Sequence, residues 1–353
     1  MNLVRLMKVK FSVQLGRGAS IYDLIQTAVL LEKRGFDTAW FADHLVTLDR
    51  NGKCLDPWPI MAALATHTSH LSLGSMVTDP FRRHPAVLAQ TSATNDWISS
   101  GRMKLGIGAG EAMNTVPFNI PWDHRIRRLE ETIRVLRLLW TGQTVDFEGE
   151  FFKLDKAFIQ ALPHNRSSVP IYVAANSPNS RKIAGAMGDG WIAELLSPEE
   201  YRKDLEEVTS AAKAVGRNPD ELDVTYHVLS AISENSSAAK SAAHQMVKEM
   251  FTYWPKQLER YGYRISDRCD WNRLLVEENS IGEVRKLSHD VPDEVAEIVT
   301  ISGSIDECTE RIAQYVKVGV RHFAFSFGST RDESMKLMGG KIIPYFNELF
   351  KAD

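Results

Sequence analysis

The residues in this chain that can do chemistry stand in short polar clusters, each at the end of an apolar run. Asp43 and His44 follow DTAWFA, and Thr78, Asp79 and Pro80 follow LSLGSMV. Gly108, Ala109, Gly110 and Glu111, with Asn114 close behind, come at the end of MKLGIGA. Asn176 and Ser177 follow VPIYVAA, Glu194 lies at the end of GWIAEL, and Ser326 to Gly328 lie at the end of RHFAFSF. An imidazole exchanges a proton near neutrality, and a carboxylate beside it can orient it or share in the transfer. A glycine-rich turn lets the backbone come close to a ligand. One imidazole, one carboxylate and two amides together make a polar cup suited to a large planar cofactor. Ala174, Ala175, Asn176 and Ser177 precede a helix that Pro178 opens, so backbone N–H groups there are available to a phosphate. Taken singly these signals are weak: His44 is equally well a structural histidine, and Asp43 a cap of the turn after it. GIGAGE has neither GxGxxG spacing nor a P-loop lysine, and HExxH, GxSxG and CxxC do not occur, so hydrolase and metalloenzyme readings lose their usual support and no metal is expected.

These clusters meet only if the runs before them are strands that end on one side. KVKFSVQL (8–15) is followed by a helical pattern with Ser20 as N-cap and Ile21, Leu24, Ala28 and Leu31 on one face, closing at Gly35. Strand then helix recurs: DTAWFA and a helix around Ile60 to Thr66, LSLGSMV and a helix opening at Pro85, MKLGIGA and a long helix from about Arg125 to Trp140. VPIYVAA precedes the helix at Pro178, and GWIAEL precedes one for which Ser197 and Glu200 read as a capping box. LDVTYHVLS (222–230) is a seventh strand; EIVTIS leads to a helix capped by Ser304 and Glu307, and RHFAFSF is the last strand. This alternation predicts an α/β fold, a closed (β/α)8 TIM barrel with insertions, whose active site gathers at the C-terminal ends of the strands. Residues 1–353 read as a single barrel domain. VDFEGEFFKLDKAFI (145–159) alternates like a hairpin, and about 235–290 is a helical insertion whose Phe251, Tyr253, Trp254 and Tyr261 read as its own core before they read as a substrate lid.

Composition agrees with a globular enzyme: 353 residues, 44% hydrophobic, 25% charged, formal charge −3. The charges are scattered, without a basic stripe, so no nucleic-acid partner is expected. Three cysteines without close spacing suggest a reducing compartment. No signal-peptide core follows Lys8 and Lys10, and the longest uncharged stretch, Pro57 to Thr78, is too polar to span a membrane. The expectation is a cytoplasmic protein.

Three segments resemble a known family: Ala39-Trp40-Phe41-Ala42-Asp43-His44, Gly106-Ile107-Gly108-Ala109-Gly110-Glu111-Ala112-Met113-Asn114, and Ala174-Ala175-Asn176 with Gly188-Asp189-Gly190. Together they are similar to the F420-dependent branch of the luciferase-like monooxygenase superfamily, over residues 8 to about 195 and more loosely over 296–348. The resemblance implies hydride transfer to or from coenzyme F420, a homodimer, His44 at the reactive face of the deazaflavin with Glu111 nearby, and Asp43 beside them as a further catalytic residue. It places Ser75, Met76, Thr78, Gly108, Ala109, Gly110, Asn114, Ala174, Ala175 and Asn176 around the cofactor, with a non-prolyl cis peptide at Ser75-Met76.

Departures from the relatives bear on the substrate. Glu194 and Leu195-Leu196-Ser197 stand where the sugar-phosphate enzymes carry a threonine and a lysine, which disfavours glucose 6-phosphate. Gln14 stands where the pterin reductase has a glutamate. VTDPFRRHPA and the closing segment resemble the pterin reductase, whereas GEAMN and LDKAF resemble the secondary alcohol dehydrogenase. A methylene-tetrahydropterin and a secondary alcohol or ketone therefore both stay open as the small-molecule substrate. His44 would move a proton for the alcohol or ketone and only position the ring for a pterin iminium. Two other readings are an FMN-dependent luciferase-like monooxygenase, which would oxygenate substrate with reduced FMN, and a non-catalytic cofactor-binding barrel.

Overall fold

The computed structural model describes residues 8–16, 20–50 and 52–350. In chain order the first half runs β1 (Lys10–Gln14), α1 (Ile21–Lys33), β2 (Thr38–Phe41), α2 (Pro57–Ala65), β3 (Ser72–Ser75), α3 (Pro85–Ile98), β4 (Met103–Ile107), α4 (Arg125–Leu139), β5 (Val145–Glu148), β6 (Lys153–Ala157), β7 (Ile171–Ala174), α5 (Pro178–Met187) and β8 (Gly190–Glu194). The second half continues α6 (Pro198–Ala214), β9 (Asp223–Ile232), α7 (Ser236–Tyr253), α8 (Pro255–Leu258), α9 (Ser280–Ser288), α10 (Asp293–Val299), β10 (Ile301–Gly303), α11 (Ile305–Lys317), β11 (His322–Ser326), α12 (Arg331–Leu337) and α13 (Ile343–Leu349). Parallel pairing in the order β1-β2-β3-β4-β7-β8-β9-β11 closes on itself through β11 and β1, so the expected (β/α)8 barrel is present. No helix among the described residues is long and apolar enough to cross a membrane.

Local chemistry explains most boundaries. Ser20 accepts from the Asp23 N–H at the start of α1, and Ser304 with Glu307 forms a reciprocal capping box on α11. The box expected at Ser197 is only half made. Its hydroxyl accepts from the Glu200 N–H, but the Glu200 carboxylate turns to Lys203 and Arg260, and the Ser197 N–H goes to the Tyr261 hydroxyl instead. EIVTIS is likewise half helical: residues 297–299 end α10, and only Ile301–Gly303 forms a strand, pairing with the far end of β9 outside the barrel. The hairpin is β5 with β6, and Glu131 of α4 receives the N–H groups of Glu150, Phe151 and Phe152 at its turn.

Inside the barrel Trp40, Met76, Tyr172, Ile192 and Ala324 form an apolar plug. Trp40 fits because its neighbour on β3 is Gly74, where a Cβ would lie 2.4 Å from the indole. Below the plug a polar layer closes the N-terminal end: Asp223 accepts from Lys10, from the Tyr172 hydroxyl and from His322. Burial works to raise the Asp223 carboxyl, but His322 and the lysines Lys10 and Lys104 hold it well below the usual carboxylate range. Above the plug lies the mouth, where β2, β3 and β4 present the predicted clusters.

Candidate active site

Three loops build one wall of the mouth. His44 after β2 meets Glu111 after β4, with Nε2 3.2 Å from Glu111 Oε1. Asn114 locks the pair in place: its side-chain N–H donates to Glu111 Oε2 at 3.0 Å, while its oxygen accepts the N–H groups of Leu45 and Val46 at 2.7 and 3.0 Å. One amide thus ties the loop of the imidazole to the loop of the carboxylate. Both side chains remain partly open to the mouth, 16% exposed for His44 and 20% for Glu111. His44 Nδ1 is buried and has no protein partner.

Asp43 is not part of that open pair. Its carboxylate receives Trp58 Nε1, the Thr78 hydroxyl, Arg82 and Arg83, at 2.6 to 3.1 Å, and it is buried to 3% exposure. Desolvation works to raise this carboxyl, but the two guanidiniums and the two hydrogen bonds hold it below the usual range. Arg82 is fixed in turn by Asp79. Asp43 acts as an anchor joining the loops after β2 and β3, and Thr78 spends its hydroxyl proton on that anchor. The geometry supports a positioning role for Asp43, where the resemblance implies a catalytic one.

The ends of β3, β4 and β7 meet at Val77, Gly108 and Ala174 and form a floor. The cis peptide is at Met76-Val77, one residue later than expected. β3 keeps its register through the Met76 N–H, which bonds to Phe41 O, and pairing with β4 resumes at the Thr78 N–H with Gly106 O; the irregular step falls between them. Ser75 donates to Gly106 O and accepts from the Gly106 N–H, so its hydroxyl belongs to the barrel wall. A Cβ on Gly108 would come 2.8 Å from Val77 Cγ2 and 3.4 Å from Ala174 Cβ, so the bare glycine keeps the space over Val77 and Ala174 open. Ala109 and Gly110 continue this edge, with Gly110 at φ +77° facing Asp79, Trp122 and Phe81. Ala175 is buried, and its carbonyl accepts from Trp191. Asn176 Oδ1 is buried without a partner at the rim. The start of α5 is less free than expected, because Ser177 and Ser180 cap each other's N–H groups.

The insertion reaches this wall. Trp271 lies edge-on to His44, with ring centroids 6.5 Å apart, and its carbonyl accepts the Ala112 N–H. Tyr253 packs on Trp271 at 4.6 Å. Phe251 and Tyr261 pack within the insertion, as the core reading expects, so the four aromatics divide between core and mouth. Trp271 has no periodic pattern around it that would have singled it out. His227, at mid-strand in LDVTYHVLS, likewise carries no local sequence signal, yet it pairs with Glu194 at 3.0 Å.

A planar ligand fits this arrangement: a floor of Val77, Gly108 and Ala174, an imidazole–carboxylate pair at its edge, and buried, unpartnered polar atoms on His44 and Asn176. The luciferase-like monooxygenase profile matches residues 1–322. The chain belongs to that family. Its relatives include the 5,10-methylenetetrahydromethanopterin reductase of Archaeoglobus fulgidus, 29% identical over 95% of this chain and 99% of that protein. An F420-dependent glucose-6-phosphate dehydrogenase of Mycolicibacterium gilvum is 32% identical over 86% of this chain and 87% of that protein. The fold matches the F420-dependent tetrahydromethanopterin reductase of Methanopyrus kandleri with a TM-score of 0.81, 24% identity and coverage of 96% and 100%. It also matches an F420-dependent secondary alcohol dehydrogenase holding an F420–acetone adduct, with a TM-score of 0.80, 24% identity and coverage of 96% and 99%.

Proposed function

We propose that this family member is an F420-dependent oxidoreductase that moves a hydride between the deazaflavin and a small organic substrate. The observation that carries the reading is the His44–Glu111 pair, held by Asn114 at the edge of a floor kept open by Gly108. F420-dependent reductases and dehydrogenases among the relatives support it. Bound there, F420 supplies a carbon that takes or gives the hydride. Val77, Gly108, Ala109, Gly110 and Ala174 would lie along its ring, with Met76 supporting the floor and Asn176 at the rim. His44 would face the reacting carbon; it would exchange the proton of an alcohol or ketone, or orient the ring of an iminium substrate, with Glu111 fixing its orientation. Trp271 and Tyr253 shield that edge from water.

Titration of the purified protein with oxidised F420 and, separately, with FMN tests the cofactor. F420 is expected to bind at least about tenfold more tightly, a difference of roughly 1.4 kcal/mol. The opposite order moves the chain to the FMN monooxygenases.

The chain works, in the same proposal, as a single barrel domain in a cytoplasmic homodimer. The outer face of α3 carries Val87, Trp97 and Ile98 at 52, 57 and 40% exposure, in one stripe at helical spacing, and supports a dimer surface there. Val87→Arg is expected to convert the dimer to monomer in sedimentation velocity, and a dimer that persists assigns the contact to another face.

A further inference from the structure

The wall of the mouth opposite His44 carries a second polar chain. β2 and β8 lie four strands apart in either direction around the barrel, so the loop of His44 and the end of β8 face each other across the mouth. At that end Glu194 Oε2 pairs with His227 Nδ1 at 3.0 Å, and His227 Nε2 pairs with the Ser326 hydroxyl at 2.9 Å. Ser326 donates to Gln14 Oε1 at 2.8 Å, and Gln14 Nε2 donates to the Met76 carbonyl at 3.1 Å.

The carbonyl fixes the direction of the chain as far as His227 Nε2. Met76 O can only accept, so Gln14 presents its N–H to it and its oxygen to Ser326. Ser326, having given its proton to Gln14, accepts from His227 Nε2–H, and His227 Nδ1 shares a proton with Glu194 Oε2 across their 3.0 Å contact. One carboxylate oxygen of Glu194 is thereby occupied. The other has no partner among the described residues, and the side chain is 21% exposed at the mouth. His227 is 8% exposed, so the pair is built in and oriented from behind.

The surroundings set the sign of what can bind. The residues that end β7, β8 and β11 (174–177, 194–197 and 326–328) include no Lys or Arg, and among the described residues Arg260 is paired with Asp204 and Glu200 and Lys248 with Asp293. Glu111 on one wall and Glu194 on the other make the mouth an acceptor of hydrogen bonds and positive charge. An eight-stranded barrel mouth is about as wide as one small ligand, so a ring-sized substrate reaches from the cofactor side to Glu194.

We propose that Glu194, held by His227, recognises the substrate, taking a ring-sized nitrogen heterocycle through its N–H donors and rejecting a phosphorylated one. The inference rests on the hydride-transfer reading for what happens at the opposite wall, but its test does not need F420. Calorimetric titration of 6-methyltetrahydropterin, and separately of glucose 6-phosphate, is run on the protein with and without F420, alongside Glu194→Gln and His227→Gln. The pterin ring is expected to bind the wild type, Glu194→Gln to weaken it about tenfold or more, His227→Gln to weaken it less, and both variants to keep wild-type F420 affinity; glucose 6-phosphate is expected to give no binding. Equal ring affinity in the wild type and Glu194→Gln, no ring binding by the wild type, or tighter binding of glucose 6-phosphate overturns the proposal. A wild type that fails to bind F420 would overturn the cofactor reading alone, and the F420-free titrations still decide the role of Glu194.

Discussion

Alanine at His44 is expected to lower turnover about a hundredfold while F420 affinity stays within about threefold. The imidazole stands at the edge of the floor, paired with Glu111 and walled by Trp271, and does not form the floor itself. On the proposed reading its removal takes away the group that would face the reacting carbon and leaves the proposed cofactor contacts in place. Loss of a positioned proton donor costs about 10²–10⁴ in rate, and loss of orientation alone can cost about 10². The two roles separate in the pH dependence of kcat. If His44 moves the proton, the variant loses one limb of the profile; if it only orients the ring, the profile keeps its shape at a lower plateau. Stopped-flow measurement of F420 reduction or oxidation across pH reads both. Unchanged turnover removes His44 from the mechanism.

Alanine at Asp43 is expected to act first on stability, by about 3–5 kcal/mol. The variant leaves the guanidiniums of Arg82 and Arg83 beside a void and orphans the Trp58 N–H, all in a nearly dry site. Denaturant unfolding followed by circular dichroism measures the loss. The same carboxylate gives a pH signature. Its native value lies below that of the unfolded chain, so its contribution is complete above the ordinary carboxylate range, near ~3.9, and disappears as pH falls through the lower native value. Wild type minus Asp43→Ala should therefore be constant near neutrality and shrink in acid. A variant as stable as the wild type would show that Asp43 is no anchor and restore it as a candidate for chemistry.

Much of the site was legible before any coordinates, because strand ends can be read from apolar runs and turn residues. His44, Glu111, Asn114 and Gly108 all stand just past the ends of apolar runs, and the structure joins the first three in one contact network and sets Gly108 against Val77 and Ala174. Their division of labour was not legible. Thr78, Asn114 and Ser75 are polar residues at strand ends, as ligand-binding residues are, yet their hydrogen bonds go to Asp43, to the loop at Leu45 and to Gly106. Only partners distant in sequence distinguish a residue that binds from one that holds another in place.

The sequence by itself determined the barrel, through alternation of strand and helix patterns with Ser20, Pro85, Pro178 and Ser304 marking the helix starts, and through that the side of the molecule on which chemistry occurs. These are local properties, set by propensity, capping and period. The tertiary structure decided the opposite wall. β9 is ten residues long, so His227 in its middle stands level with the end of β8 and pairs in register with Glu194 at the mouth. Relative register between strands that are dozens of residues apart is fixed by packing around the closed barrel, and no local pattern carries it.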